Sequence, residues 1–173
     1  LGRGGQGEVW HAFDVKLRME VALKALRADL VRDDRARDLL RREVRSARQV
    51  VSANVCRVFD LVVEDGHEMV SMEFVEGTTL AELLAEKGPL DFSRAGEIAG
   101  QLLAGLEAIH AAGFVHRDLK PENVMLTLSK RVVVMDFGIA RSLTDTQAGT
   151  IAGTPGYMSP EQARGSPVDR RSD

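Results

Sequence analysis

The eight residues from His116 to Asn123 (HRDLKPEN) bring a carboxylate, an ammonium and a carboxamide together on a connection between a helical pattern and a strand pattern. Apolar packing does not call for such a cluster, and charges placed over a core are costly unless they satisfy one another or a ligand. Any fold open to this chain must therefore support the loop from beneath and leave it facing something polar. The flanking elements are legible. Ahead of the loop, Ala95, Ile98, Leu102, Leu106 and Ile109 recur at helical spacing, with Asp91 or Ser93 as the N-cap and Gly113 as the stop. Gly96, Gly100 and Gly105 lie inside that helix and cost about 1 kcal/mol each relative to alanine, so packing must hold it. Behind the loop, residues 124–127 and 131–135 read as a small hairpin.

The first half has a different grain. Residues 9–13 and 20–26 are β-branched, aromatic and alternating, and a polar stretch joins them as a hairpin. Ala36, Leu40, Ala47 and Val51 mark a helix within residues 29–51, whose other faces carry arginines and acids and read as a solvated surface. Residues 55–63 and 68–74 form two further strand patterns. Thr79 and Glu82 then make a capping box before Leu80, Leu83 and Leu84, and Gly88 with Pro89 ends that helix. Sheet with one helix gives way to mainly helix, an α+β arrangement.

At 173 residues and 44% hydrophobic content the chain can bury a core, and its net charge of −3 argues against a protein that coats nucleic acid. Cys56 is the single cysteine, which excludes an intrachain disulfide and a multi-cysteine zinc site and fits a reducing compartment. No run reaches the roughly 20 apolar residues of a membrane helix, and no basic-then-apolar leader opens the chain. A glycine turn at the very start and an Arg-Arg-Ser-Asp finish lead to the expectation of a piece of something longer.

Three more places carry chemistry. Gly2, Gly4 and Gly7 outline a glycine-rich turn that leads into a strand, which excludes both a dinucleotide fingerprint and an ATPase phosphate loop. What remains is an ordinary hairpin turn or a flap whose backbone can approach phosphate oxygens. Lys24 sits among apolar residues, and Glu43 lies on the core-facing stripe of its helix; each either snorkels to solvent or pairs with the other. Asp136 emerges from a run of apolar strand residues, as a plain turn or as an oxygen ligand for a hard cation.

In order and spacing, Gly2 to Val9, the Val-Ala-Leu-Lys ending at Lys24, Glu43, the 116–123 loop, Asp136-Phe137-Gly138 and Ser159-Pro160-Glu161 resemble the eukaryotic-type (Hanks-type) serine/threonine protein kinases over the whole chain. The resemblance implies a two-lobed fold. Residues 1–75 would be the small antiparallel β lobe with one helix and the hinge, and residues 76–173 an incomplete, mainly helical large lobe. It implies ATP and Mg²⁺ as cofactors. The glycine turn with Val9, Ala22, Lys24, Glu73, Val75 and Met125 would hold the nucleotide, and Glu43 would fix Lys24. Asn123 and Asp136 would carry the metal. Asp118 would take the proton of the acceptor hydroxyl, and Lys120 would steady the transferred group. Thr154 would contact Asp118 and Lys120 in a substrate-docking segment, and Arg117 would answer a phosphate on Thr146 or Thr150, placed there by autophosphorylation.

Lys120 and the 153–158 stretch favour serine or threonine in proteins as acceptors, and the arginine bias with Met158 to Gln162 looks bacterial. Such kinases often continue into a linker, a membrane helix and a sensor domain, so a cytoplasmic kinase domain, anchored or not, is expected, and a dimer acting in trans is compatible with it. The alternatives are an inactive nucleotide-binding scaffold and a small-molecule phosphotransferase of related fold. The resemblance implies that the residue matching Asp173 begins a buried helix and braces the 116–123 loop, and that the residue matching Glu161 pairs with a distant arginine. The stripe at Ile98, Leu102, Leu106 and Ile109 is accordingly expected to be partly exposed here, with poor stability and weak activity for residues 1–173 alone.

Overall fold

The computed structural model describes residues 2–4, 7–26, 33–64, 67–137 and 153–173. Two compact units divide the chain.

The first unit comprises residues 1–50, 57–74 and 139–146. Its sheet contains β1 (Gly2–Gly4), β2 (Gly7–Asp14), β3 (Met19–Ala25), β4 (Val58–Glu64) and β5 (His67–Glu73), all antiparallel in the order β1-β2-β3-β5-β4. Helix α1 (Asp34–Ala47) begins at Asp33, whose carboxylate accepts the Ala36 N–H at 2.8 Å. It buries Leu40, Val44 and Ala47. Its charged faces make exposed i,i+3 pairs such as Arg37 with Asp34 and Arg41 with Asp38, which contribute little to stability.

Register decides which side chains share a surface. Val9 lies opposite Lys24, His11 opposite Ala22, Ala22 also opposite Met72, and Lys24 opposite Val70. Side chains alternate along a strand, so these six project from one face of the sheet. Val9, Ala22 and Lys24 reach that face together from two strands.

The second unit comprises residues 51–56, 75–138 and 147–173. It contains β6 (Gly77–Thr79), α2 (Leu80–Lys87), α3 (Phe92–Ala111), β7 (Val124–Thr127), β8 (Val132–Val134) and the single turn α4 (Pro160–Ala163). β6, β7 and β8 form an antiparallel sheet in that order, and β6 was not legible as a strand beforehand. Thr79 and Glu82 close the expected capping box, Asp91 rather than Ser93 caps α3, and Gly113 turns at φ +83°.

Three expectations need correction. The helix read through Val51 ends at Ala47 and leaves Val51 exposed. The strand read over residues 55–63 starts only at Val58, and residues 51–56 cluster with the second unit instead of the first lobe. Hydrogen bonds explain it: Asn54 receives the Val134 N–H at 2.9 Å and donates to the Val132 carbonyl at 2.8 Å, while Cys56 N–H reaches the Val134 carbonyl at 2.9 Å. Cys56 is buried beside β8 without belonging to a named strand. The apolar stripe of α3 is also not the exposed one. Ile98, Leu106 and Ile109 are buried and Leu102 packs on a core of Ile98, Val124, Leu126 and Val132, because the β7–β8 hairpin covers that face. Exposure falls on the opposite face, at Phe92, Gly96, Gly100 and Leu103.

The α3 glycines thus differ in kind. A Cβ on Gly105 would lie 2.6 Å from the Asn54 carbonyl oxygen, so this glycine permits the close approach of helix and 51–56 segment, whereas Gly96 and Gly100 have nothing within 4 Å. We expect Gly96→Ala and Gly100→Ala to stabilise the chain by roughly 0.5–1 kcal/mol each, and Gly105→Ala to destabilise it despite the same gain in helix propensity. Urea unfolding of the three variants checks the opposite signs.

Candidate functional site

The second unit gathers Asp118, Lys120, Asn123 and Thr154 around one carboxylate. Asp118 is 3% exposed. Its Oδ1 accepts the Thr154 hydroxyl at 2.9 Å, and Thr154 Oγ1 in turn accepts from Lys120 Nζ at 2.9 Å. Lys120 Nζ also stands 3.4 Å from Oδ2. Asn123 closes the loop from below, its Nδ2 donating to the Asp118 carbonyl at 2.8 Å and reaching Oδ2 at 3.4 Å. Pro121–Asn123 form a single 3-10 turn, which places the carboxamide back under Asp118. Thr154 sits just ahead of a second such turn, Pro155–Tyr157.

The backbone beneath is strained and braced. Arg117 adopts φ 67° and Asp136 φ 57°, left-handed conformations that cost a non-glycine residue of order 1–3 kcal/mol and persist only where neighbours enforce them. For Arg117 one enforcer is Asp173, whose carboxylate accepts the N–H groups of His116 at 2.7 Å and Arg117 at 2.8 Å, and Nε2–H of His110 at 2.8 Å. The Asp173 side chain is 1% exposed, so all three donors meet it away from water.

His116 links this loop to the end of β8. Its Nδ1 accepts the Asp118 N–H at 3.3 Å, which leaves the ring proton on Nε2 to donate to the Met135 carbonyl at 2.8 Å. Met135 N–H donates to the Asn123 carbonyl at 2.8 Å. Asp136, the next residue, thereby leaves β8 beside the 116–123 loop. Phe137 is buried behind it, edge-on to Phe114 with ring centroids 5.8 Å apart.

Burial pushes the His116 imidazole below its ordinary value of 6.5, against the opposing pull of the Met135 carbonyl and the carboxylates of Asp173, Asp136 and Asp118. The ring is neutral, as its hydrogen bonds require.

The other candidates lie where the register put them. Gly2, Gly4, Gly7, Val9, Ala22, Lys24 and Glu73 are on strands of the first unit, Lys24 buried at 7% exposure, and Glu43 is half-buried on α1. Val75 and Met125 belong to the second unit. Thr146 and Thr150 lie outside the described residues. Glu161 accepts a hydrogen bond from the Ser172 hydroxyl at 2.5 Å, which holds its carboxyl below the usual range.

Sequence reasoning overlooked two participants. His110 falls on the ordinary stripe side of a helix and carries no motif of its own. Gln162 was signalled only as the third residue after Ser159, the spacing of a capping box, which the structure contains. Its second bond, from Nε2 to the Arg117 carbonyl at 2.7 Å, spans 45 residues of chain and has no sequence signature.

As a site for a divalent cation, the donor chemistry fits. The nitrogen of Asn123 is committed to Asp118, which leaves its oxygen, and Asp136 supplies carboxylate; hard oxygen donors of this kind suit Mg²⁺. Chemically, the cluster offers a carboxylate of fixed aim to an incoming hydroxyl, next to an ammonium.

Comparison with known proteins places these observations. The model of the protein kinase domain matches residues 1–173. A probable serine/threonine-protein kinase of Streptomyces coelicolor is 48% identical over the whole chain, which covers 27% of that protein. Serine/threonine-protein kinase pkn3 of Myxococcus xanthus is 42% identical, with 34% of its length covered. PknB of Mycobacterium tuberculosis is 40% identical, with 29% covered. The chain thus spans about a third or less of these relatives. Among solved structures, the Mycobacterium tuberculosis PknI kinase domain superposes with a TM-score of 0.79 at 30% identity, the chain covering 64% of it.

The neutral, buried His116 makes the site acid-sensitive with a definite sign. The unfolded chain takes up a proton near pH 6.5, whereas the folded ring resists it, so the contribution to stability is whole above that pH and declines as pH falls toward the lowered folded value. We expect a stability loss between pH 7 and pH 5 that His116→Gln reduces, read from urea midpoints across that range.

Proposed function

Because the chain belongs to the protein kinase family, we propose that its whole protein transfers the γ-phosphoryl group of ATP to serine or threonine hydroxyls of protein substrates. The observation that carries this reading is the Asp118 carboxylate clamped by Thr154, Lys120 and Asn123 within one unit. Phosphoryl transfer asks the protein for alignment and charge neutralisation more than for covalent chemistry.

In this reading the acceptor hydroxyl hydrogen-bonds to Asp118, which orients its oxygen toward phosphorus. An O–P bond forms, the bond from phosphorus to the β–γ bridging oxygen breaks, the hydroxyl proton passes to Asp118, and ADP departs with the bridging electron pair. Lys120 lies near enough to the carboxylate to meet the negative oxygens of the group in flight. Thr154 sets the rotamer of Asp118 from the side where a protein substrate would dock. On the first unit, Val9 and Ala22 would cover the adenine, Lys24 would hold the α and β phosphates with Glu43 behind it, and the backbone of Glu73 would join that of Val75 in recognising the base. Met125 would add an apolar contact to the nucleotide. Asn123 and Asp136 would hold Mg²⁺, which when bound offsets phosphate charge that otherwise repels a nucleophile.

Regulation follows from the same residues. Arg117 would receive a phosphate placed on Thr146 or Thr150 by autophosphorylation, in cis or within a dimer. Relatives named as serine/threonine-protein kinases support the acceptor class. Among the described residues no helix is long and apolar enough to cross a membrane, and a kinase domain working on cytoplasmic substrates is our proposal for its location.

In the intact protein, we expect Asp118→Asn to lower phosphorylation of a protein acceptor by at least about a hundredfold while ATP still binds. Lys24→Met should weaken ATP binding as well. Radiolabel transfer with parallel nucleotide titration checks both, and phosphate found on a sugar or antibiotic in place of protein would refute the acceptor class.

A further inference from the structure

We propose that Gln162 is a positioning residue for Asp118, holding by its side-chain amide the peptide that precedes the carboxylate. The inference rests on the phosphotransfer reading above and extends it to a residue outside the 116–123 loop.

Gln162 is buried at 7% exposure, and its Nε2 donates to the Arg117 carbonyl oxygen at 2.7 Å. Arg117 is the left-handed residue of the loop, at φ 67°, a conformation that a long side chain keeps only under external constraint. Its N–H is held by Asp173 at 2.8 Å and its carbonyl by Gln162. Each peptide unit is a rigid plane, so bonds to this N–H and this carbonyl fix both planes that flank the Arg117 Cα. The second of those planes ends at the Cα of Asp118. It therefore sets the direction in which the Asp118 side chain departs.

The carboxamide is itself held. Its Oε1 accepts the Ser159 N–H at 3.0 Å, and the Gln162 N–H meets Ser159 Oγ at 3.4 Å, the two halves of the capping box that opens α4. A flipped amide would point its nitrogen at an N–H and its oxygen at a carbonyl, losing both side-chain bonds. The same short segment also carries Thr154, which grips the Asp118 carboxylate. Asp118 is thus steadied twice from residues 153–163, through its side chain by Thr154 and through its main chain by Gln162. This coupling gives the order of that segment a direct path to the aim of the base.

Gln162→Glu isolates the donor. Glutamate has nearly the same shape and still offers an oxygen to the Ser159 N–H, but as a carboxylate it cannot donate to Arg117; once protonated it can. In the intact protein we expect Q162E at pH 8 to show a kcat for a protein acceptor about tenfold to a hundredfold below wild type, with KM for ATP within twofold. Burial against the Arg117 carbonyl raises the pKa of the introduced carboxyl, so the ratio to wild type should rise as pH falls toward 6. Gln162→Met, with neither donor nor acceptor, should lose kcat equally at every pH. If Q162M does not fold, Ser159→Ala, which keeps the Ser159 N–H on the carboxamide but removes the hydroxyl that caps the Gln162 N–H and so loosens the turn carrying it, replaces it with a smaller, pH-independent loss. Amide hydrogen exchange at Arg117 and Asp118 should accelerate in Q162E. A Q162E kcat within twofold of wild type at pH 8, or a loss that ignores pH and raises the ATP KM in proportion, overturns the proposal. Wild-type protein that phosphorylates no protein acceptor refutes the phosphotransfer reading instead, and unchanged amide exchange in Q162E then sinks the positional claim on its own.

Discussion

A carboxylate removed from water must find its hydrogen bonds in the protein, and at Asp118 that requirement organises everything around it. The side chain is satisfied by Thr154, Lys120 and Asn123, but those contacts converge only because the backbone at Arg117 turns left-handed just before it. That turn is unfavourable in isolation. It survives because Asp173 accepts two consecutive backbone N–H groups and Gln162 takes the carbonyl between Arg117 and Asp118. Remove the buried acceptor at 173 and three donors are orphaned at once, which is far more costly than the loss of one surface pair.

The supports extend outward in layers. His116, neutral and buried, ties the loop to Met135 and so sets where Asp136 leaves β8. β8 in turn is flanked by β7 and by the 54–56 segment, and Gly105 lets α3 press close to that segment. A chemical group at one end of the unit thus depends on an absent methyl group at another. In the first unit the corresponding device is register: the β2–β3 and β3–β5 pairings bring Val9, Ala22, Lys24 and Met72 to one face, and a slip of one residue would turn each strand's contribution to the other side.

Local chemistry was the readable part. The capping box at Thr79 and Glu82, the Gly113 stop and the hairpin of β2 and β3 depend on neighbours within a few residues, so spacing reveals them. Periodicity shows that the α3 stripe is apolar but not what covers it, so the expected partial exposure gives way to burial of Ile98, Leu106 and Ile109 with Leu102 packed beside them. β6 was too short to carry a period, and Val55 and Cys56 resemble strand because they belong to an apolar run, although among the described residues they make only the isolated bridge of Val55 with Val134.

Which chemical groups the chain owns, and in what order, can be read from the residues alone: a glycine turn, Lys24, Glu43, the 116–123 cluster, Asp136 and the Ser159 cap. That order is enough to place it in a family, since the spacing of functional groups along a chain is a covalent property. Which of them meet is a matter of packing. Thr154 lies 36 residues from Asp118, Gln162 lies 45 from Arg117 and Asp173 lies 57 from His116, and each contact exists because packing, not chain proximity, brings donor and acceptor within 3 Å. Hydrogen bonds of that kind are short-ranged and directional, so they are settled last, after burial and register have fixed the backbone.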